Sequence, residues 1–213
     1  MLLKSIQINK EELEMNPRKF IEIMRVAENL KNNTRHSWTS NGRQESVAEH
    51  SWRVALMAYF VKDEFPDINI DKVITMCIFH DIGEAFTGDI PTFNKEAKDR
   101  INETNILSNW LDTLPYPYNN DLKLLFDEMN AQETRESKLY KALDKMEVLI
   151  QHNEADLSTW IPLERTLNLC HGEKEVAFSD YLKLLKNEIN KDTREKLEKD
   201  IQTNQNNKQC LEK

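Results

Sequence analysis

The sequence predicts an all-α fold, and both its composition and its apolar periodicity support that prediction. Only four of the 213 residues are glycine and six are proline, so the turn residues that closely spaced strands require are scarce. Lys, Glu and Leu are plentiful, and apolar residues recur at helical spacing in several segments. The length suits one domain with its own core, and we therefore expect a single helical bundle.

The amino-terminal part of the chain predicts one helix and then a loop. Apolar residues recur at helical spacing over 17–30, and a proline stands at the first position, where a helix tolerates it. The stretch over 31–45 carries Asn, Thr, Ser and Gly without any period. It therefore predicts a loop, of the kind that often carries function.

Two further helices are predicted next. Ser46 and Glu49 match a capping box, in which each side chain bonds the backbone amide of the other. This pair predicts a helix over 46–65. A third helix is expected over 71–86, because the Thr-Gly-Asp-Ile-Pro segment at 87–91 would end it.

The rest of the chain predicts further helices before a polar tail. They are expected over 95–111, 119–129, 133–156 and 174–189. Pro115 and Pro117 separate the helices predicted over 95–111 and 119–129, because a proline disfavours the helical conformation in the residue before it. We place one domain at 1–190, and we interpret 191–213 as a polar tail that is a frayed helix or disordered.

The charge and the apolar content exclude several classes of partner. The formal net charge is -8 and the pI about 5.3, so a broad basic surface for nucleic acid is not expected. No segment approaches the ~18 uninterrupted apolar residues of a membrane span, and the amino terminus resembles no secretory signal. The three cysteines, without a C-x-x-C pair, indicate neither a disulfide framework nor a structural zinc site. We expect a cytoplasmic protein.

Four polar residues on three predicted helices form the candidate constellation: His50, the doublet His80-Asp81, and Asp144. The helical period turns three of them, His50, Asp81 and Asp144, toward the core. Buried imidazoles and carboxylates cost several kcal/mol unless they are paired or bind a cation. One shared metal ion would satisfy all four. Their mixed nitrogen and oxygen donors suit Mn, Co, Fe, Ni or Zn better than Ca, with water and a phosphate oxygen at the remaining positions.

Each of these residues also has an ordinary structural explanation. A single inward histidine is more often hydrogen-bonded in a core than bound to a metal, and an adjacent His-Asp pair can be a packing contact. The structural explanation weakens for the whole set, because it must account for inward polar groups on three separate helices.

Three motifs resemble one protein family. ESVAEHSWRVA at 45–55, MCIFHDIGEAFTGDIPT at 76–92 and KALDKMEVLIQ at 141–151 are similar to motifs of the HD-domain superfamily. Within it, they resemble the small bacterial 5'-deoxynucleotidases and their animal HD-domain-containing relatives, over about 20–156. The resemblance implies an all-helical fold with the metal site between core helices, usually in a homodimer. It also implies removal of phosphate from deoxynucleoside 5'-monophosphates with one divalent metal ion, Co or Mn first and Fe, Ni, Zn or Mg as alternatives.

The resemblance implies roles for individual residues. The four ligands that it implies are His50, His80, Asp81 and Asp144. Glu84 is implied as a catalytic residue that exchanges a proton with the attacking water or the leaving 5'-oxygen. Asp89 is implied as a residue near the sugar and the attacking water. An ordinary solvated glutamate and a simple turn residue are the alternatives for these two positions.

The predicted loop before the second helix supplies candidate substrate contacts. Arg35 and Arg43 can each grip a phosphate through paired hydrogen bonds, and Trp38 offers a flat face for a base. In the bacterial relatives an Arg-Trp pair is contiguous here, whereas this chain reads Arg35-His36-Ser37-Trp38, as in the animal relatives. Base and sugar preference therefore stay open. We expect His36 to be an exposed loop residue rather than a further ligand.

Other reactions of the superfamily are alternatives. The interval 82–145 contains no histidine, which argues against the two-metal members that cleave cyclic nucleotides or cyclic dinucleotides and against the di-iron oxygenases. Hydrolysis of nucleoside triphosphates or guanosine alarmones is the enzymatic alternative. A metal-stabilised nucleotide sensor without turnover is the non-catalytic one, which a missing ligand or a missing Glu84 would have favoured.

Overall fold

The computed structural model describes residues 15–89 and 97–211. Its helices are α1 Pro17–Asn32, α2 Val47–Phe60, α3 Ile70–Phe79, α4 Glu84–Thr87, α5 Ala97–Asp112, α6 Tyr118–Ala131, α7 Arg135–Glu154, α8 Glu164–Cys170, α9 Glu173–Val176 and α10 Asp180–Leu211, and its strands are β1 Thr34–Trp38 and β2 Gln44–Ser46. The described part is helical apart from short turns and one small hairpin, which confirms the predicted fold class.

The core is built around α7, which packs against α2, α3 and α10. Each of these helices contributes side chains that are fully buried, among them Val54, Met76, Leu143 and Leu182. Burial of such apolar side chains is the main favourable term in folding. The candidate site lies in this same core, because polar residues interrupt the buried faces of α2 and α7.

The capping box at the start of α2 forms as predicted. The Ser46 hydroxyl accepts a hydrogen bond from the Glu49 backbone amide at 3.2 Å, and the Glu49 carboxylate accepts one from the Ser46 backbone amide at 2.9 Å. The cap fixes the residue at which the helix begins. It therefore also fixes which residues of α2 face the core, and His50 is among them.

The loop predicted over 31–45 instead contains an antiparallel hairpin. Thr34 pairs with Ser46, and Trp38 pairs with Gln44. The strands have only five and three residues, and such short polar strands show no readable two-residue period. Gln151 of α7 donates a hydrogen bond to the Trp38 carbonyl at 2.6 Å, so a long-range contact holds the hairpin on the bundle.

The end predicted for the third helix is wrong. α3 ends at Phe79 rather than near residue 86. The amide of Ile82 bonds to the carbonyl of Phe79 at 3.0 Å, and the amide of Ala85 bonds to the carbonyl of Ile82 at 3.1 Å. These bonds span three residues instead of four and tighten the chain into a turn. Asp81 therefore lies in a turn and not on a helix face.

The last helix is longer than predicted. α10 runs from Asp180 to Leu211, whereas the sequence predicted a helix over 174–189. Side chains beyond residue 189 tie α10 to α7: Thr193 donates to the Asn153 side-chain oxygen at 2.8 Å, and Lys196 donates to the Asn153 carbonyl at 3.0 Å. These tertiary contacts extend a segment whose polar composition predicted fraying. The domain division at residue 190 stays a prediction.

Some predictions concern residues outside the described ranges. The predicted start of the fourth helix at residues 95 and 96, the break at 90–91 and the amino-terminal segment through residue 14 all lie there. α5 is described from Ala97 onward. No helix among the described residues is both long enough and apolar enough to cross a membrane.

Candidate metal centre and active site

His50 lies inside the core on the buried face of α2. Its side chain has no exposed surface, and its Nδ1 atom is 2.5 Å from the Glu147 carboxylate on α7. Arg53 holds the other oxygen of Glu147 through Nε at 2.9 Å. Because Nδ1 donates to Glu147, the Nε2 atom of a neutral His50 carries the lone pair. That atom points into the site and is available to a cation.

His80 and Asp81 follow directly after α3. His80 Nδ1 donates to the backbone carbonyl of Cys77 at 2.8 Å, so Nε2 of the neutral ring is the free acceptor. The turn brings the Asp81 carboxylate round to the same point, with Oδ2 3.1 Å from His80 Nε2. The doublet thus presents one nitrogen donor and one oxygen donor together.

The four residues predicted as metal ligands converge in the structure. The Nε2 atoms of His50 and His80 are 3.2 Å apart. Oδ1 of Asp144, on α7, is 3.3 Å from the first and 3.7 Å from the second, and Oδ2 of Asp81 is 3.8 Å from His50 Nε2. Donors that each lie about 2.1 Å from one cation, roughly at right angles, are about 3 Å apart. His50, His80 and Asp144 therefore fit a single divalent ion, and Asp81 lies beside them as the proposed fourth ligand.

The surroundings of His50 favour a positive charge. Burial and Arg35 act to lower the pKa of His50, but Glu147 and Asp144 outweigh them and raise it to about 9. Burial likewise opposes ionisation of Asp144, yet Lys141 and His50 hold the pKa of that carboxyl well below its usual range. Two neutral imidazoles would face each other with lone pairs, which is repulsive. A metal cation removes that repulsion and takes the place of the proton.

Glu84 and Asp89, the predicted catalytic residues, belong to α4 and the segment after it. Glu84 is buried, and its Oε2 atom has no hydrogen-bond partner among the described residues. Burial, together with the negative charges of Asp81 and Asp89, raises the pKa of Glu84 to about 10. Gly88 ends α4 with φ +74° and ψ 166°, a conformation that glycine adopts and other residues rarely do. This turn leaves Asp89 within electrostatic range of Glu84.

Asn29 of α1 and Asn33, which caps the end of α1, fix the backbone that carries Glu84. Asn33 donates a side-chain hydrogen bond to the Glu84 carbonyl at 2.6 Å, and Asn29 donates one to the Ala85 carbonyl at 3.1 Å. α4 has only four residues and little stability of its own. The contacts from α1 therefore position the Glu84 carboxyl.

We call the four converging residues, His50, His80, Asp81 and Asp144, the metal group. Arg35 lies beside this group and forms ion pairs with carboxylates. Its Nη1 atom is 3.3 Å from Asp81 Oδ2, and its Nε atom is 3.5 Å from Glu45. The side chain is only 13% exposed. In this arrangement the guanidinium holds Asp81 in place, and its predicted grip on a substrate phosphate stays a prediction.

The other two predicted substrate contacts lie farther along the hairpin. Arg43 forms a two-point ion pair with Glu49, at 2.9 and 2.5 Å, and its side chain is 55% exposed. Trp38 ends β1 and is half-buried. In the part of the chain that the structure describes, Arg35 is thus brought to the metal group, whereas Arg43 pairs elsewhere.

The expectation for His36 is wrong. His36 belongs to strand β1, is half-buried, and places its Nε2 atom 3.2 Å from Glu164 at the start of α8. Successive side chains of a strand point to opposite faces. Arg35 therefore faces the metal group, while His36 faces α8, which the sequence did not predict.

Comparison with known families agrees with this geometry. The HD domain family matches residues 27–186 of the chain, a range that contains all four converging residues. The chain belongs to the HD-domain family. This membership confirms the resemblance drawn from the three sequence motifs. Within the HD-domain site, His50, His80 and Asp144 form a group that could hold a metal ion, and Asp81 Oδ2 lies 3.1 Å from His80 Nε2 beside that group.

Individual relatives share both sequence and fold. A protein named 5'-deoxynucleotidase HDDC2, from Homo sapiens, is 32% identical over 142 residues, which are 64% of this chain and 68% of that protein. A protein named 5'-deoxynucleotidase hdd1, from Schizosaccharomyces pombe, is 30% identical over 62% of this chain and 74% of that one. A solved structure, titled as a predicted metal-dependent phosphohydrolase from Magnetospirillum magnetotacticum MS-1, has the same fold. Its TM-score is 0.69 at 23% identity, over 86% of this chain and 97% of that one.

Sequence reasoning missed two buried carboxylates of the HD-domain site. Glu147 lies three residues after Asp144, so the helical period could have placed it on the same inward face. Glu45 gave no comparable signal, because it stood at the end of the predicted loop. It is buried, and burial and the charge of Glu147 raise its pKa to about 7.

Glu147→Gln is expected to weaken metal binding by about 10- to 100-fold, the usual cost of losing a carboxylate behind a metal-bound histidine. Glutamine keeps the size of the side chain but loses the charge that accepts the Nδ1 proton of His50 and raises the basicity of Nε2. Calorimetric titration of the purified protein with Mn²⁺ measures the effect as a change in Kd.

Glu154→Gln is the matched control. Glu154 lies two turns later on α7, is half exposed, and pairs with Arg53 at 2.6 Å without reaching His50. Its Kd for Mn²⁺ should equal that of the wild type. If both variants bind Mn²⁺ as tightly as the wild type, Glu147 does not orient His50.

Proposed function

We propose that this protein is a metal-dependent phosphomonoester hydrolase, a 5'-deoxynucleotidase that converts deoxynucleoside 5'-monophosphates to deoxynucleosides and phosphate. The observation that carries the proposal is the convergence of two imidazoles and two carboxylates near the buried carboxyl of Glu84, whose Oε2 atom has no hydrogen-bond partner among the described residues. The names of the relatives from Homo sapiens and Schizosaccharomyces pombe support the substrate class.

The side chains of the site provide orientation and proton transfer. When bound, a divalent cation neutralises negative charge on phosphoryl oxygens and acidifies water. Glu84, whose pKa is raised to about 10, carries a proton that it gives to the 5'-oxygen as the phosphorus–oxygen bond breaks, and its carboxylate then takes up the proton released by the water whose oxygen has bonded to phosphorus. Asp89 orients the water and the sugar. His50, His80, Asp81 and Asp144 are the proposed ligands.

The proposed substrate contacts come from the hairpin and differ in their support. Arg35 has the most, because its guanidinium lies 3.3 Å from Asp81 beside the metal group. Trp38 is a candidate for stacking against the base. Arg43 would have to leave Glu49 to reach a nucleotide.

The proposal includes the cofactor, the assembly and the location of the protein. We assign one divalent ion, because mixed imidazole and carboxylate donors suit borderline first-row metals. The family resemblance favours Co or Mn, with Fe, Ni, Zn or Mg as alternatives. The homodimer rests on the family resemblance, and the cytoplasmic location rests on the sequence. The acidic composition argues against nucleic acid as a partner.

Phosphate release from a panel of nucleotides tests the function. With Co²⁺ or Mn²⁺ the protein should release phosphate from dAMP and other deoxynucleoside monophosphates, and chelation of the metal should abolish the release. AMP in the same panel compares ribose with deoxyribose. Hydrolysis of dNTPs or guanosine alarmones in place of monophosphates would favour the enzymatic alternatives. Nucleotide binding without hydrolysis of any substrate would contradict an enzymatic function.

A further inference from the structure

Two lysines of α7 converge on one oxygen of Asp144. Lys141 Nζ is 3.0 Å from Asp144 Oδ2, and Lys145 Nζ is 3.9 Å from the same atom. The other oxygen, Oδ1, is the one that lies 3.3 Å from His50 Nε2. The Asp144 carboxylate therefore joins the metal group on one side to two ammonium groups on the other.

The charges around Asp144 favour the binding of an anion. Asp144 and Asp81 each carry one negative charge, and the two ammonium groups, Arg35 and the proposed divalent cation together carry more positive charge than these two carboxylates neutralise. The Glu175 carboxylate on α9 also acts to raise the pKa of Lys145, but by less than Asp144 does. The lysine side chains are 33% and 20% exposed, so a small anion from solution can reach them. Positive charge at such a partly buried position attracts a dianion strongly, because solvent screening is reduced.

Tyr140 keeps the first of these lysines next to the metal group. The Lys141 ammonium lies 5.6 Å from the centre of the Tyr140 ring, within the range of a cation–π interaction. The centre of the same ring lies 5.8 Å from that of His80. The tyrosine therefore bridges the ammonium group and a proposed ligand.

The arginines near the site are already engaged. Arg35 pairs with Asp81 and Glu45. Arg53 pairs with Glu147 and Glu154. Lys141 and Lys145 differ from these arginines. Within residues 15–89 and 97–211, their only ion-pair partner is Asp144, a proposed ligand.

We propose that Lys141 and Lys145 form a phosphoryl-binding subsite that holds the non-bridging oxygens of a phosphomonoester dianion beside Asp144. Ammonium groups donate up to three hydrogen bonds each, and such bonds to phosphate are strong because both partners are charged. The identity of the ester as a substrate rests on the proposed function, but the binding of its phosphoryl group is a separate property of these two lysines.

Binding of inorganic phosphate to the Mn²⁺-loaded protein tests the subsite. Lys141→Gln and Lys145→Gln should each weaken phosphate binding by about tenfold, the usual effect of losing one charge-assisted hydrogen bond. The KM for dAMP should rise by a similar factor. Lys141→Arg should restore most of the affinity, because it keeps the charge. Lys138→Gln, which removes an exposed lysine one turn earlier on α7, is the matched control and should have no effect.

The Kd for Mn²⁺ distinguishes two roles of the lysines, direct binding of phosphate and positioning of Asp144. The subsite predicts that the Kd for Mn²⁺ stays within about twofold of the wild type in both glutamine variants. If Mn²⁺ affinity falls together with phosphate affinity, the lysines only position Asp144 and the inference is overturned. The same holds if the glutamine variants bind phosphate as tightly as the wild type.

The two proposals can fail independently. If the wild type hydrolyses no nucleotide but the two glutamine variants lose phosphate binding, the subsite is supported and the proposed 5'-deoxynucleotidase function is contradicted. If the wild type hydrolyses dAMP and the variants keep its phosphate affinity and KM, the proposed function is supported and the subsite is contradicted.

Discussion

Replacing His50 with alanine is expected to abolish tight metal binding and to lower kcat/KM for phosphate release by at least about a thousandfold. The imidazole is one of two nitrogen donors among the four proposed ligands, and its Nε2 lies 3.2 Å from that of His80. A cation at such a site contributes several kcal/mol of stabilisation to a phosphoryl transition state, and about 4 kcal/mol corresponds to a thousandfold change in rate. Calorimetric titration with Mn²⁺ and steady-state phosphate release measure the two effects.

His36→Ala is the matched control for that experiment. His36 lies on strand β1 and contacts Glu164 rather than the metal group. Its loss should leave the Kd for Mn²⁺ unchanged. Because His50→Ala also removes one of the two partners of the buried Glu147, Asp144→Asn provides a second, nearly isosteric removal of a proposed ligand. Tight Mn²⁺ binding by both folded ligand variants would contradict the proposed metal centre.

Glu84→Gln is expected to lower kcat by about 10²- to 10⁴-fold, the usual contribution of a general acid–base group, with metal binding nearly unchanged. Glutamine fills the same buried space but cannot exchange a proton between water and the 5'-oxygen. The Glu84 carboxyl has one oxygen without a hydrogen-bond partner among the described residues, as expected of a group that binds a water or substrate atom. Single-turnover phosphate release, compared with the calorimetric Kd for Mn²⁺, separates chemistry from binding.

Glu128→Gln is a suitable control for the second experiment. Glu128 of α6 is half-buried and pairs with Lys72 at 2.8 Å, in a part of the bundle that does not touch the proposed ligands. Its kcat should equal that of the wild type. A Glu84→Gln protein that keeps wild-type kcat at saturating metal would exclude Glu84 as the proton-transfer group.

The sequence determined the all-α class and the inward placement of His50 and Asp144 because those features depend on local signals. The capping box at Ser46 fixes where α2 begins, and the helical period then turns His50 inward. Asp144 lies on the buried face of α7 for the same reason. The motifs around these residues also predicted the family, and the family match confirms it.

The tertiary structure alone decided which partner each of these residues meets. His50 and Glu147 are 97 positions apart in sequence, and Arg35 and Asp81 are 46 apart, so no local pattern could pair them. The hairpin at 34–46 was missed because short polar strands exist only through their pairing and through the contact with α7. Asp81 reaches the ligand group because the chain tightens after Phe79, a change that long-range packing selects and helical propensity does not.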